Sequence, residues 1–197
     1  MAATTPEERL QLPAARAVEL RKVFGEGQAA VEALRGITLD FEDGRFTAIM
    51  GPSGSGKSTL LHCVAGLDRP TSGKVFIGEV DLTTLDDKRL TLLRRDRVGF
   101  VFQAYNLVPT LTAAENITLP LDIAGRDVDR AWFDTVVDTV GLRDRLAHRP
   151  SELSGGQQQR VAGARALVSQ PTIVFADEMK SPTASRVLDR IKRFGEG

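Results

Sequence analysis

The 197-residue chain balances 26 Lys and Arg against 26 Asp and Glu, so no excess of positive charge points to a nucleic-acid partner. Hydrophobic residues make up 42% and charged residues 26%, a globular mixture with enough apolar content to bury a core. The one cysteine, Cys63, excludes a disulfide framework and a cysteine-rich zinc site, and no run approaches the roughly 18 to 20 apolar residues that cross a bilayer.

Residues 1–16 read as a flexible N-terminal tail, because Glu7, Glu8 and Arg9 leave no apolar run for a signal peptide. Val18–Phe24, Ile37–Phe41 and Phe46–Met50 read as short strands, the last two separated by the turn-forming Glu42-Asp43-Gly44. The next stretch, Gly51-Pro52-Ser53-Gly54-Ser55-Gly56-Lys57-Ser58, fills every position of G-x-x-x-x-G-K-[ST]. It stands in the required context, after a strand and before a helix expected over Lys57–Ala65. A phosphate chain needs many N–H donors close together. Glycines at 51, 54 and 56 let the backbone approach it, and the helix N-terminus adds its dipole. Lys57 is placed for the β- and γ-phosphates, Ser58 for Mg²⁺ and Thr59 for a hydroxyl near the α-phosphate, so ATP and Mg²⁺ are the expected cofactors. His62 and Cys63, further along that helix, read as packing residues.

Lys74–Ile77 is another strand, and Asp86 and Asp87 open a helix through Leu93. Val98–Phe102 is a short apolar strand ending at Gln103, and Thr112–Leu146 is mostly helical, with Trp132, Phe133, Val136, Val137 and Val140 at helical spacing. Ser154 opens a helix to about Val168. Ser154 and Gln157 make a capping box, but capping does not explain Gly155 and Gly156, which cost the helix about 1 kcal/mol each. A phosphate approaching that N-terminus would explain them. After the break at Gln170-Pro171, the apolar strand Thr172–Ala176 ends in Asp177-Glu178. Beside a phosphate loop, Asp177 is placed to hold Mg²⁺ through water and Glu178 to act as general base on the attacking water. A last helix is expected over Ala184–Phe194. Strands at both ends around a helical middle predict an α/β fold with an inserted helical subdomain at about 86–149.

Leu153-Ser154-Gly155-Gly156-Gln157, about a hundred residues after the phosphate loop and shortly before Asp-Glu, resembles the signature of the ABC ATPases. The resemblance spans roughly Val18–Glu178 and implies a P-loop NTPase core working as a head-to-tail dimer. Ser154 to Gln157 of one chain would close on the γ-phosphate held by Lys57 of the other. It also places Gln103 in a glutamine loop that senses Mg²⁺ and the attacking water, and Phe24 where an aromatic stacks on adenine. Val-Gly-Phe-Val-Phe-Gln-Ala-Tyr-Asn-Leu and Glu-Asn-Ile-Thr-Leu-Pro-Leu are similar to the branch of macrolide and peptide exporters, lipoprotein-release systems and cell-division transporter-like ATPases. The implied partners are a transmembrane permease and a second ATPase subunit. The implied place is the cytoplasmic face of the membrane, reached through the permease.

The chain departs from the family after Glu178, where Met179-Lys180-Ser181 replaces the usual Pro-Thr-x-x-Leu-Asp run. Its two histidines, His62 and His148, both precede the acidic pair, so the family's later switch histidine has no counterpart. The atypical tail 179–197 therefore predicts a C-terminally shortened domain, lacking the last strands of the sheet and weak in turnover. The alternative class is a truncated nucleotide-binding or regulatory protein with little or no hydrolysis. A DNA-repair ATPase is disfavoured, because the interval from Lys57 to Ser154 is compact and lacks a coiled coil or zinc module.

Overall fold

A computed structural model of the chain describes residues 12–177. Glu178, the tail 179–197 and its expected helix lie outside the described residues.

Two sheets carry the architecture. In the first, β1 (Ala15–Phe24) is central and pairs antiparallel with β2 (Val31–Phe41) and β3 (Ser72–Ile77); β4 (Val80–Asp81) adds to β3. In the second, β5 (Val98–Val101) pairs parallel with β6 (Ile173–Ala176), in register from Val98↔Ile173 to Val101↔Ala176. Between β2 and β3 lies α1 (Lys57–Val64), and α2 (Asp87–Arg97) leads into β5. Helices α3 (Ala113–Ala124), α4 (Arg130–Val140) and α5 (Gly155–Leu167) separate β5 from β6.

Local chemistry sets the helix ends. The Asp86 carboxylate accepts the Arg89 N–H at 2.8 Å and starts α2. Thr112 and Glu115 form a capping box at α3, and the Asp129 carboxylate accepts the Trp132 N–H at 3.1 Å at α4. Gly125 and Gly141, at φ 63° and 65°, close α3 and α4 in the left-handed region. Those two stops turn the expected helical stretch into separate helices. They pack on α5 through Ile117, Val136, Val137, Val140, Val161 and Ala164, all buried. A second apolar cluster joins Leu20, Leu34, Val75 and Ile77 of the antiparallel sheet to Leu60 and Val64 of α1.

Three expectations change. First, β1 begins at Ala15, inside the stretch read as a tail, and Ala15 is fully buried. Its pairing with both Phe41 and Ile77 is long-range, and short-range composition does not report it. Second, Ile37–Phe41 is only the end of the 11-residue β2. Third, Phe46–Met50 forms no strand: it carries no ladder among the described residues, and Met50 is 87% exposed. An apolar run becomes a strand only where a neighbour accepts its backbone hydrogen bonds, and among the described residues no strand pairs with this one. The expected helical region from 86 also contains β5, which belongs to the parallel pair.

Cys63 lies in the interior on α1, 1% exposed, and burial pushes its thiol up to about 11. The protonated form is therefore favoured in the folded chain. Its contribution to stability should be intact below about pH 9 and lost as pH rises toward 11. We predict that native chain resists iodoacetamide at pH 8 and reacts at the rate of a free thiol once unfolded in urea. Fast labelling of the folded chain would contradict this packing.

Candidate nucleotide site

The loop between Met50 and α1 is shaped by three glycines in unusual conformations. Gly54 and Gly56 have φ of 79° and 86°, where side chains are disfavoured. A Cβ on Gly56 would stand 2.5 Å from the Ala33 carbonyl oxygen, and one on Gly51 would stand 2.9 Å from Ser55 Oγ. Gly56 thus lets the loop lie directly on β2. Gly56 caps α1 without a side-chain hydrogen bond, so the first-turn N–H groups of Lys57, Ser58 and Thr59 have no acceptor within the helix. Ser53, Gly54 and Ser55 are exposed. The Lys57 ammonium donates to the Pro52 carbonyl at 2.8 Å, folding the side chain back over its own loop.

One contact joins this loop to the far end of the sequence. Ser58 Oγ donates to Asp177 Oδ1 at 3.0 Å, across 119 residues of chain. Asp177 is set by β6 and by its own N–H, which donates to the Val101 carbonyl at 3.0 Å. The same contact aligns the ends of β5 and β6, and Gln103 follows two residues beyond Val101. Gln103 is exposed, in a turn closed by the Tyr105 N–H on the Phe102 carbonyl at 2.9 Å.

A hydroxyl and a carboxylate at 3.0 Å form an oxygen donor set suited to a hard cation such as Mg²⁺. Among the described residues no group of three or more His, Cys, Asp or Glu could hold a metal alone. Phosphate oxygens and water would have to complete the shell, as Mg²⁺ prefers.

Phe24 ends β1 and is 46% exposed. The register puts it opposite Val31, two residues along β2 from Ala33, the residue against which Gly56 lies. The Lys22 ammonium sits 5.0 Å from the Phe24 ring centroid, while also donating to Asp68 Oδ1 and the Arg69 carbonyl at 2.7 Å each. A cation braced on one side holds the ring in place, and the exposed part of the ring is available to a planar group.

The Ser154–Gln157 segment is built as a cap. Ser154 Oγ accepts the Gln157 N–H at 3.3 Å, and Gln157 Oε1 accepts the Ser154 N–H at 2.7 Å. Gln158 Nε2 ties the preceding turn down through the Pro150 and Leu153 carbonyls at 2.9 and 3.1 Å. A Cβ on Gly155 or Gly156 would meet nothing within 4 Å. No internal packing requires these glycines, so the space before them is free for another molecule. The other end of α5 is fixed on the sheet, where a Cβ on Gly99 of β5 would be 2.4 Å from the Ala166 carbonyl oxygen. At 1.5 Å per residue, Ser154 stands about 18 Å along the helix from that contact.

Two residues near the site were not legible as such. His62, read as packing, lies one turn after Ser58, with Nε2 3.6 Å from Asp177 Oδ2 and its ring 5.9 Å from that of Phe100. The four-residue spacing from Ser58 on one helix face is the signal that could have found it. Arg165 donates to the Tyr105 and Asn106 carbonyls at 2.6 and 2.7 Å, a contact across about sixty positions that no local pattern announces. Glu178 lies outside the described residues.

The ABC transporter family pattern matches residues 34–181. An uncharacterized ABC transporter ATP-binding protein of Thermotoga maritima is 45% identical over 91% of this chain and 79% of its own length. The lipoprotein-releasing system ATP-binding protein LolD of Legionella pneumophila is 48% identical over 87% of this chain and 78% of its own. Among solved structures, the dimeric post-hydrolysis state of the ATP-binding cassette MJ0796, bound to ADP and Pi, superposes with a TM-score of 0.82. It is 40% identical and covers 92% of this chain and 83% of its own.

Proposed function

The chain belongs to the ABC transporter family, as an ATPase of the branch that includes LolD and the macrolide exporters, and from this we propose that it couples MgATP hydrolysis to movement of a substrate by a membrane partner. The observation that carries the reading is the Ser58–Asp177 hydrogen bond, which unites the phosphate loop with the acidic strand end.

In this reading the free N–H groups of the loop and of α1 receive the phosphate chain. Lys57 leaves the Pro52 carbonyl for the β- and γ-phosphates. Phe24, braced by Lys22, takes the adenine. Ser58, Asp177 and Gln103 would hold Mg²⁺, which would supply charge neutralisation to the phosphate chain. Glu178 follows Asp177 directly and orients the attacking water in line with the γ-phosphate. Ser154, Gly155, Gly156 and Gln157 of a second copy approach from the other side. Their place at the far end of α5 from the sheet supports a partner chain, and the MJ0796 cassette, itself a dimer, supports it further. No helix among the described residues is long and apolar enough to cross a membrane. Attachment to the inner face of the membrane would therefore come through a permease subunit, which would also set the substrate. The balanced charge supports a partner other than nucleic acid.

The test is ATP turnover by the purified chain beside Glu178→Gln. Loss of a positioned general base should lower turnover by about 10²- to 10⁴-fold while MgATP still binds. Turnover that survives the substitution would sink the assignment of Glu178. Absence of nucleotide binding in the unaltered chain would sink the whole reading.

A further inference from the structure

Arg165 occupies an odd position for a charged residue. It sits on α5 among neighbours that are all buried, Ala164 and Ala166 to Ser169, and burial lowers its guanidinium from the ordinary range. Among the described residues no carboxylate pairs with it. Both terminal nitrogens instead donate to backbone carbonyls of one turn: Nη2 to Tyr105 at 2.6 Å and Nη1 to Asn106 at 2.7 Å. That turn is unusual too. Tyr105 and Asn106 have φ of 59° and 48°, two of the four left-handed non-glycine residues in the described chain. Asn tolerates that region. A tyrosine does not favour it and stays there only where its surroundings hold it. The planar fork of an arginine suits two adjacent carbonyls, and a lysine's single ammonium suits them less.

We propose that Arg165 is a positioning residue: from the helix that begins with Ser154 it clamps the 102–106 turn in its left-handed form and so sets the position of Gln103 at the end of β5, the strand whose Val101 carbonyl holds Asp177. The clamp joins the two parts of the chain that face nucleotide from different sides. The Arg165 fork fixes the turn to the last turns of α5, where Tyr105 and Leu107 also pack on Val101, Ala162 and Ala166, so displacement of α5 carries the turn with it. The functional half of this inference rests on the reading of Gln103 given above; the clamp itself does not.

Two measurements test it. The first is amide hydrogen exchange of residues 104–107 in the nucleotide-free chain. Arg165→Met should speed exchange there by about tenfold or more, with other segments unchanged, and Arg165→Lys should recover part of the protection. Unchanged exchange in Arg165→Met would overturn the clamp. Faster exchange throughout would reveal a general stability role and overturn it as well. The second is a double-mutant cycle on ATP turnover. Arg165→Met should lower kcat about tenfold with KM for ATP within about twofold. In a Gln103→Ala background the same substitution should cost nothing further, because the residue acts through Gln103. Additive losses, or a Gln103→Ala chain with full turnover, would overturn the positioning role. Should the unaltered chain turn over no ATP, the proposed function falls and the exchange result alone decides the clamp.

Discussion

Gly156→Asp should lower turnover about a hundredfold and leave the fold as stable as before, or slightly more so. The stability half follows from the local geometry. Position 156 lies in the first turn of α5, and a Cβ there meets nothing within 4 Å. Removing a glycine from a helix and adding an acidic group near its N-terminus each contribute a few tenths of a kcal/mol to about 1 kcal/mol of stabilisation. The functional half has the opposite sign. If a second copy presents this turn to the γ-phosphate, an added carboxylate meets a like charge in a site closed to water, where repulsion is poorly screened. A penalty of about 3 kcal/mol is about a hundredfold in rate. Thermal unfolding and ATP turnover on the same sample separate the two halves. Retained turnover would mean that nothing approaches these glycines.

Lys57→Ala should weaken MgATP binding by about 10²- to 10³-fold. An ammonium shared between two phosphates makes charge-assisted hydrogen bonds of about 1.5–3 kcal/mol each, and part of that is offset by leaving the Pro52 carbonyl. The unliganded chain loses only one exposed side-chain hydrogen bond, so its stability should change by no more than about 1 kcal/mol. Equilibrium binding of a fluorescent ATP analogue measures the first effect and urea unfolding the second. A variant that binds as well as the parent would place the phosphates elsewhere.

The difference between what the sequence announces and what it hides follows the range of the interactions involved. The loop Gly51–Ser58 and the box Ser154–Gln157 are local: their partners lie within a few residues, so residue type and spacing suffice. The family resemblance adds long-range meaning to Asp177, and the Ser58 contact gives it a geometry. Ala15 and Arg16 look like tail residues because their partners, Phe41, Asp40, Ile77 and Phe76, are distant in the chain. Phe46–Met50 errs in the other direction. Its composition is that of a strand, but among the described residues no strand pairs with it. Arg165 is hidden for a third reason: its role depends on the left-handed backbone of Tyr105 and Asn106, which neither residue type dictates. His62 and Cys63 are adjacent on one helix, yet one faces Asp177 and the other the core. A reading that groups them as packing residues misses a difference of one position on the helical wheel.

The proposed nucleotide site is completed by a second copy of the chain. Sedimentation velocity of the Glu178→Gln chain with and without MgATP tests it most directly, since bound ATP then persists for the length of the run. Monomer is expected without nucleotide, dimer with it, and monomer again when Gly156→Asp is added although ATP still binds. A chain that binds MgATP at saturation and stays monomeric would contradict it.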